Sequence, residues 1–388
     1  CTILFMRFIL NKLLLLILLV LGACADEANQ FPSIASLSSV DKDISFQIDE
    51  ETKLPNNLCW FKDGDKEYLS FVNIYNRTEI LIYDLKTGQL TNKIEFEREG
   101  PNGILEIYSH SIINFDSIYI SCANEQLCLS DTSSQIKQRI PMPKLTDSSK
   151  VIAPLSPPTI INHQIYIPQN VNPQLGENYM GKSPLGVMID TITHKVTATP
   201  LHYSNLYSNE DLMYATHGNR TQYIFDGNLF VYSYDILDSL YVLDSELSKI
   251  GSYYAKSRYI DEVRTHSNRN WDLNMVLRQT CETPSYGTVV YDKYRQVYYR
   301  FAYPETKIEK KDNALDVFRE GRKVFSIIIL DKDMRMIGET LFPEYSYNSN
   351  LFFVNKDGLY LCKTHSKRSD FDENVFCFQC FELIKKND

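Results

Sequence analysis

Glycine and proline are scarce, at 15 residues each in a chain of 388, and tryptophan occurs only twice. Scarcity of the first two excludes a collagen-like or low-complexity chain. A second long apolar run is missing. Only the segment around residues 13–21 is strongly hydrophobic, so a bundle of membrane-spanning helices is excluded. Positive charge is in deficit: 40 Lys and Arg stand against 49 Asp and Glu, a formal net charge of −9. A nucleic-acid binder would carry a basic stripe instead, so no nucleic-acid partner is expected. Local catalytic signatures are also missing. No Gly-x-Ser-x-Gly elbow, His-Glu-x-x-His, phosphate loop or dinucleotide fingerprint occurs. No two of the seven histidines share metal-ligand spacing. Asp63-Gly64-Asp65 lacks the remaining ligands of a calcium loop and reads as a plain turn. No catalytic residue, metal or cofactor is therefore expected. Binding is a better expectation than catalysis, although a site assembled from distant segments would leave no local motif.

What is abundant is aromatic and aliphatic surface. The chain has 26 Tyr and 20 Phe, and 44% of it is hydrophobic. That is enough for a large core and too much for a disordered chain.

The one apolar run lies near the start. Met6 to Lys12 forms a short basic region, Leu13 to Leu21 an unbroken aliphatic stretch, and Leu21-Gly22-Ala23-Cys24 follows. The run suits a signal peptide and is short for a membrane span. Residues 1–5 precede Met6, which reads as the start, so residues 1–23 are expected to be an over-extended start plus signal peptide. Residues 24–42, rich in Ser and Ala, read as a tether. Residues 43–388 read as one domain. Losing Arg7 and Lys12 would make the mature chain more acidic still.

That domain shows almost no helical periodicity. Short runs of β-branched and aromatic residues, bounded by Asp, Asn, Gly or Lys, read as strands. One pattern recurs five times: an apolar strand ending in aspartate, a short polar turn, then another strand. The copies centre on Tyr83-Asp84, Ser130-Asp131, Ile189-Asp190, Leu243-Asp244 and Leu330-Asp331. Aspartate suits the position because its side chain bonds the amides of the turn that follows. A further hairpin precedes each copy, turning at Lys62 to Asp65, Phe115 to Ser117, Asn162 to Gln164, Asp226 to Asn228 and Asp292 to Arg295. Repeated four-stranded meanders are the mark of a β-propeller. A sixth unit from Leu351 to Ile384 has only three strands, and Asp43 to Ile48 supplies a fourth. The expected fold is all-β: a six-bladed β-propeller of four-stranded antiparallel blades, with an N-terminal strand closing the last blade. Seven blades is the alternative, with the additional blade in residues 258–284.

Leu21-Gly22-Ala23-Cys24 resembles the lipobox of bacterial lipoproteins. Together with the irregular blades and Glu97-Arg98-Glu99-Gly100-Pro101-Asn102-Gly103-Ile104, it is similar to a domain-of-unknown-function family of Bacteroidetes lipoproteins. That family is related to six-bladed NHL and TolB-like propellers. The resemblance implies acylation of Cys24, cleavage before it and a lipid anchor in the outer membrane. The periplasmic or surface side stays open. It implies no activity and no catalytic residues.

Seven cysteines remain besides Cys1 and Cys24. Cys377 and Cys380 lie in a strand-like run, where residues three apart point to opposite faces. Cys122 and Cys128 flank a turn and could face each other across a hairpin. The others read as small buried apolar residues.

Loop lengths point to a working face. Turns within hairpins are short. The long segments (98–110, 168–185, 203–221, 256–285, 304–323 and 364–374) all connect on the other side. A long loop costs entropy, so its retention there suggests function. These segments and their margins carry Arg77, Asn102, Tyr179, Tyr207, His217, Arg220, Arg258, His266, Trp271 and Arg278, and Arg300 could point to the same mouth. Arginine forks bind carboxylates and phosphates, and aromatic faces suit sugars and peptides. Lys310-Lys311 and Lys367-Arg368 read as solvated loop charges. The expected role is a monomeric, outer-membrane-anchored binder of an envelope protein or an extracellular glycan or peptide. A glycan hydrolase or lyase, and a sensory or assembly subunit of an envelope complex, are the alternatives. Replacing Cys24→Ala is expected to release the protein from membranes. Unchanged membrane association on fractionation would refute lipidation.

Overall fold

The computed structural model describes residues 33–53, 55, 57–123, 126–142, 157–169, 184–202, 221–263 and 272–386. Strand β1 (Ala35–Gln47) comes first. It begins well before Asp43, where the sequence suggests that the domain starts, so part of the expected tether is built into a sheet. Four four-stranded antiparallel meanders follow. The first comprises β2 (Cys59–Asp63), β3 (Lys66–Val72), β4 (Glu79–Asp84) and β5 (Leu90–Glu95). The second comprises β6 (Ile107–Asn114), β7 (Ser117–Cys122), β8 (Gln126–Ser130) and β9 (Ile136–Pro141). The third has β10 (Thr159–Ile161), β11 (Gln164–Pro168), β12 (Gly186–Asp190) and β13 (Val196–Ala198). The fourth has β14 (Thr221–Phe225), β15 (Leu229–Tyr234), β16 (Ser239–Asp244) and β17 (Lys249–Tyr254).

An eight-stranded sheet takes the rest. It contains β18 (Ser285–Asp292), β19 (Val297–Tyr303), β20 (Phe325–Asp331), β21 (Met336–Phe342), β22 (Asn348–Val354), β23 (Leu359–Cys362) and β24 (Val375–Lys385). Its order is β18-β19-β20-β21-β1-β24-β23-β22, so β1 sits between two halves. It pairs antiparallel with β24 from Ala35↔Lys385 to Gln47↔Val375, and parallel with β21 at Ala35↔Gly338. Glycine is needed at 338, because an added Cβ would lie 1.9 Å from the Ala35 carbonyl oxygen. The fold is all-β and propeller-like. Helix α1 (Leu273–Glu282) occupies the stretch considered above for an additional blade. Helix α2 (Ala314–Glu320) lies between β19 and β20.

The middle strands read as unbroken apolar runs because neighbouring sheets cover both faces. Every residue of β19 is buried, whereas β13 at a sheet edge is fully exposed. Six apolar clusters join successive meanders. Phe61 and Ile82 pack with Ile112 and Ile120, Leu127 with Ile165 and Val187, and Tyr166 with Phe230 and Tyr232. Val231 and Val242 pack with Tyr298 and Ile328, and Phe301 and Ile327 with Leu361 and Phe381. Finally Phe46, Phe376 and Phe378 pack with Phe71 and Tyr83, which brings the strands of the two chain ends onto the first meander. Here Phe46 meets Tyr83 edge to face at 5.4 Å.

The five repeated aspartates do what their pattern implies. Asp84 Oδ1 accepts the amides of Lys86 and Thr87 at 3.0 and 2.8 Å. Asp131 accepts from Ser133 at 2.9 Å, and Asp190 from Ile192 and Thr193 at 3.0 and 2.7 Å. Asp244 accepts from Glu246 and Ser248 at 3.0 and 2.7 Å, and Asp331 from Asp333 and Arg335, both at 2.9 Å. Each turn contains one left-handed residue. Gly88 takes it in the first, but Ser134, His194, Leu247 and Met334 take it in the others, with φ between 57° and 63°. A side chain there costs about 1–2 kcal/mol. The aspartate bonds offset that cost, and the chain manages with little glycine.

Arg300 does not reach the mouth of the long-loop side. It lies in the middle of β19, fully enclosed, and its guanidinium fastens one meander to the next. Nε donates to Ser233 Oγ at 3.0 Å, and the two Nη atoms donate to the carbonyls of Ala255, Tyr234 and Leu237 at 2.9, 3.2 and 2.6 Å. The Tyr286 ring stacks on it at 3.8 Å, and the Tyr286 hydroxyl donates to Asp238 Oδ1 at 2.5 Å. Burial pulls the guanidinium down to about 10, which still leaves it charged at neutral pH. Arg300→Met strands these acceptors without water. It is expected to lower unfolding free energy by about 3–5 kcal/mol, the scale for breaking a buried charged contact. A loss below about 1 kcal/mol in denaturant titration would contradict this account.

Candidate functional site

Connections within hairpins are tight, as in Asp63 to Lys66 or Asp226 to Leu229. The opposite side carries both helices. Asp272 caps α1 by accepting from Asn274 and Met275, at 2.9 and 3.4 Å. Asn313 caps α2 by accepting from Leu315 at 3.0 Å. Side-chain caps of this kind satisfy amides that a short helix leaves without partners. The helices bury Leu277 and Cys281 against Ile308, Ala314 and Val317. Arg278 completes the join by donating to the carbonyls of Ile308, Glu309 and Asp312 at 3.1–3.2 Å. Gly321 ends α2 at φ 98°, where a Cβ would meet the Ser349 amide nitrogen at 2.6 Å.

Between α2 and the β23–β24 connection lies a pocket of about 350 Å³. Asp312 is its buried anchor. Its Oδ1 takes the Lys367 ammonium at 2.6 Å, and its Oδ2 accepts from the Glu309 amide at 3.2 Å and the Tyr345 hydroxyl at 3.3 Å. The Lys367 contact holds the Asp312 carboxyl below the usual carboxylate range. His365 is 1% exposed. Its Nδ1 accepts the Lys367 amide at 3.1 Å, so in the neutral ring Nε2 carries the hydrogen. Burial pushes the imidazole pKa down, and the ring stays neutral near pH 7. Glu320 lies 3.7 Å from His365 and accepts from both the amide and the hydroxyl of Ser366. At the rim Lys311, Asn313 and Asp316 are exposed. Charges of both signs therefore surround a cavity that no Tyr, Phe or Trp lines. Such a site suits a polar or zwitterionic group better than a stacked sugar ring.

A second pocket of about 600 Å³ opens on the same side, at the β3–β4 connection. Buried Glu79 is paired with Lys93 at 2.8 Å and accepts from Asn73 at 2.9 Å. Glu50, Glu51, Tyr75, Asn76 and Glu95 form the rest of its wall. It is the more acidic of the two. Among the described residues, no group of three or more His, Cys, Asp and Glu side chains could hold a metal ion.

The residues suggested by sequence do not gather in one place. Arg77 lies at the β3–β4 connection, half exposed and 3.7 Å from Glu106. Asn102 accepts the Ile136 amide at 3.1 Å, which docks the Gly100-Pro101-Asn102-Gly103 turn on edge strand β9. Arg139 secures the same turn by donating to the carbonyls of Pro101 and Gly103 at 2.7 and 2.8 Å. Arg258 is placed similarly against β21, where its amide donates to buried Glu339 at 2.8 Å. Arg278 and Arg300 are fasteners. Cys24, Tyr179, Tyr207, His217, Arg220, His266 and Trp271 lie outside the described residues.

Asp312, Glu320, His365 and Lys367 were not singled out by sequence, and Lys367 reads there as a solvated charge. No local signal marks Asp312 and Lys367 as partners. Only their position in two successive long connections hints at it.

The ion pair has a testable pH signature. A carboxyl held low in the folded state stabilises above its unfolded value of about 4, and that contribution is lost as acid protonates it. Lys367→Met is therefore expected to cost up to about 1 kcal/mol at pH 7, the scale for a partly exposed pair. In strong acid the variant and parent should melt together. An equal deficit at both pH values in thermal denaturation would show that the lysine acts through packing alone.

The family model described as a domain of unknown function (DUF4221) matches residues 35–341. The chain is similar to the crystal structure of a DUF4221 family member from Bacteroides vulgatus. The TM-score is 0.79 at 25% identity, over 92% of this chain and 100% of that one. It is similar in fold to a candidate exported protein from Bacteroides fragilis, with a TM-score of 0.54 at 12% identity, over 91% of this chain and 96% of that one. No curated protein matches. The family match starts at the first residue of β1 and runs into β21, spanning most of the described fold, and the chain belongs to the DUF4221 family.

Proposed function

We propose that the chain is an outer-membrane lipoprotein, anchored through Cys24, whose six-bladed β-propeller binds an envelope protein or an extracellular ligand on its long-connection side. Six blades is the reading supported by the succession of apolar clusters, each between consecutive meanders, with the last returning to the first. Kinship with NHL and TolB-like propellers belongs to the same reading. Export is supported by the lipobox and by the fold likeness to a candidate exported protein.

The observation that carries the binding role is the asymmetry between the two sides. Among the described residues, one side has tight turns, most of them held by an aspartate or asparagine side chain. The other has helices α1 and α2 and the two pockets described above. Exposed Tyr75, Leu273, Met275 and Phe371 lie on its connections and helix α1. A partner surface needs such apolar anchors within a polar rim. A glycan hydrolase or lyase has less support, because the pocket beside α2 lacks aromatic walls.

The test uses the soluble Cys24→Ala chain on a glycan array and in pull-downs from envelope extract. Lys311→Glu and Asp316→Lys alter the pocket rim without touching buried groups. Each is expected to weaken the captured ligand about tenfold, equivalent to about 1.4 kcal/mol. Ile192→Lys, on a tight turn of the other side, should leave capture unchanged. Equal loss from both sides, or capture indifferent to all three changes, would remove the assignment of the face.

A further inference from the structure

We propose that Cys122 and Cys128 are a dithiol site that closes into a cross-strand disulfide within the second meander. The two residues lie on paired strands β7 and β8. The register sets Cys122 opposite Gln126 and Ile120 opposite Cys128, so the cysteines are diagonal neighbours on one face. Their Sγ atoms are 3.2 Å apart. A small movement brings them to the S–S bond length of about 2.05 Å. Both side chains are fully enclosed among Ile104, Ile107 and Ile120. An S–S bond there replaces two weakly polar thiols with a group that the apolar surroundings accept.

The surroundings also assign the roles. The Cys122 thiol donates towards Cys128, and Arg139 Nη1 lies 3.6 Å from Cys128 Sγ. Both contacts favour negative charge on Cys128, whose thiol is held below its ordinary value. Cys128 is therefore the attacking thiolate. With oxidised glutathione as oxidant, Cys128 attacks one glutathione sulfur and expels the first glutathione thiolate. Cys122 then loses its proton, attacks Cys128 Sγ and expels the second. Two cysteine S–H bonds are broken, one S–S bond forms, and the oxidant leaves as two thiols carrying both protons. Enclosure of both sulfurs means that the oxidant reaches them while the chain folds or when the β7–β8 end opens. Closure during refolding should therefore be much faster than closure in the native protein.

This site is independent of the anchoring and binding readings, and its test does not involve them. The full chain is refolded from denaturant in a glutathione redox buffer, acid-quenched, alkylated under denaturing conditions and analysed by peptide mass. The peptide carrying both cysteines is expected to lose the mass of two hydrogens and to take no alkyl group. Cys122→Ser should abolish that loss and leave Cys128 alkylated or bound to glutathione. Cys59→Ser should retain it. Alkylation of both Cys122 and Cys128 in the refolded wild-type protein would overturn the proposal, and that measurement does not depend on any variant folding.

Discussion

The ladder between β1 and β24 is the constraint on which the rest of the structure leans. It joins residues 35–47 to residues 375–385, and a shift in register between Ser39 and Asp43 bends β1 on the way. Bringing together segments some three hundred residues apart costs about 5 kcal/mol in loop-closure entropy. Burying Phe46 alone returns about 2–3 kcal/mol, and the backbone bonds of the ladder supply the remainder at about 1 kcal/mol each. The strand also covers the edge of β24 along its length and meets β21 at the one pair Ala35↔Gly338. Uncovered, the edge of β24 would present unpaired amides and carbonyls to other chains. The approach at Ala35 and Gly338 is close enough that only glycine fits.

With that pairing in place, the two sides of the molecule divide the work. On one side aspartates hold short turns whose left-handed residues are mostly not glycine. On the other side long connections fold back and are held by arginine. Arg139 holds the Gly-Pro-Asn-Gly turn, Arg278 holds α1 to the approach to α2, and Arg300 ties the fourth meander to β19. The planar guanidinium offers five donors in a rigid fork and so holds several carbonyls in a fixed geometry, whereas the lysine ammonium is a point charge on a flexible stem. Lysines instead sit at the pocket, where Lys367 meets Asp312 and Lys311 remains at the rim. Arginine therefore contributes to the architecture and lysine to the charge of the candidate site.

Much of this fold was legible in the sequence. Apolar strands ending in aspartate marked the recurring turns, and every one of the five aspartates accepts the amides of the turn that follows. The fourth strand of the last meander was legible as an N-terminal run, although β1 reaches back to Ala35, where Ala35 and Leu37 bury against the eight-stranded sheet and the Leu37 amide donates to the Thr340 hydroxyl. The two helices were less legible. Each is short, and α1 buries Val276, Leu277 and Cys281 without a long periodic stripe. Their caps, Asp272 and Asn313, look like ordinary loop residues until the helix they serve is known.

Local chemistry sufficed for the strands, the turns and the division into short and long connections, because period-two patterning and aspartate–amide bonds act over a few residues. The candidate site needed the tertiary structure. Asp312 finds Lys367 across two meanders, His365 is enclosed by elements distant in sequence, and Arg300 is turned inward by carbonyls from another sheet. Such pairings carry no local signature, since burial and charge compensation depend on what the packed sheets bring together rather than on neighbours along the chain.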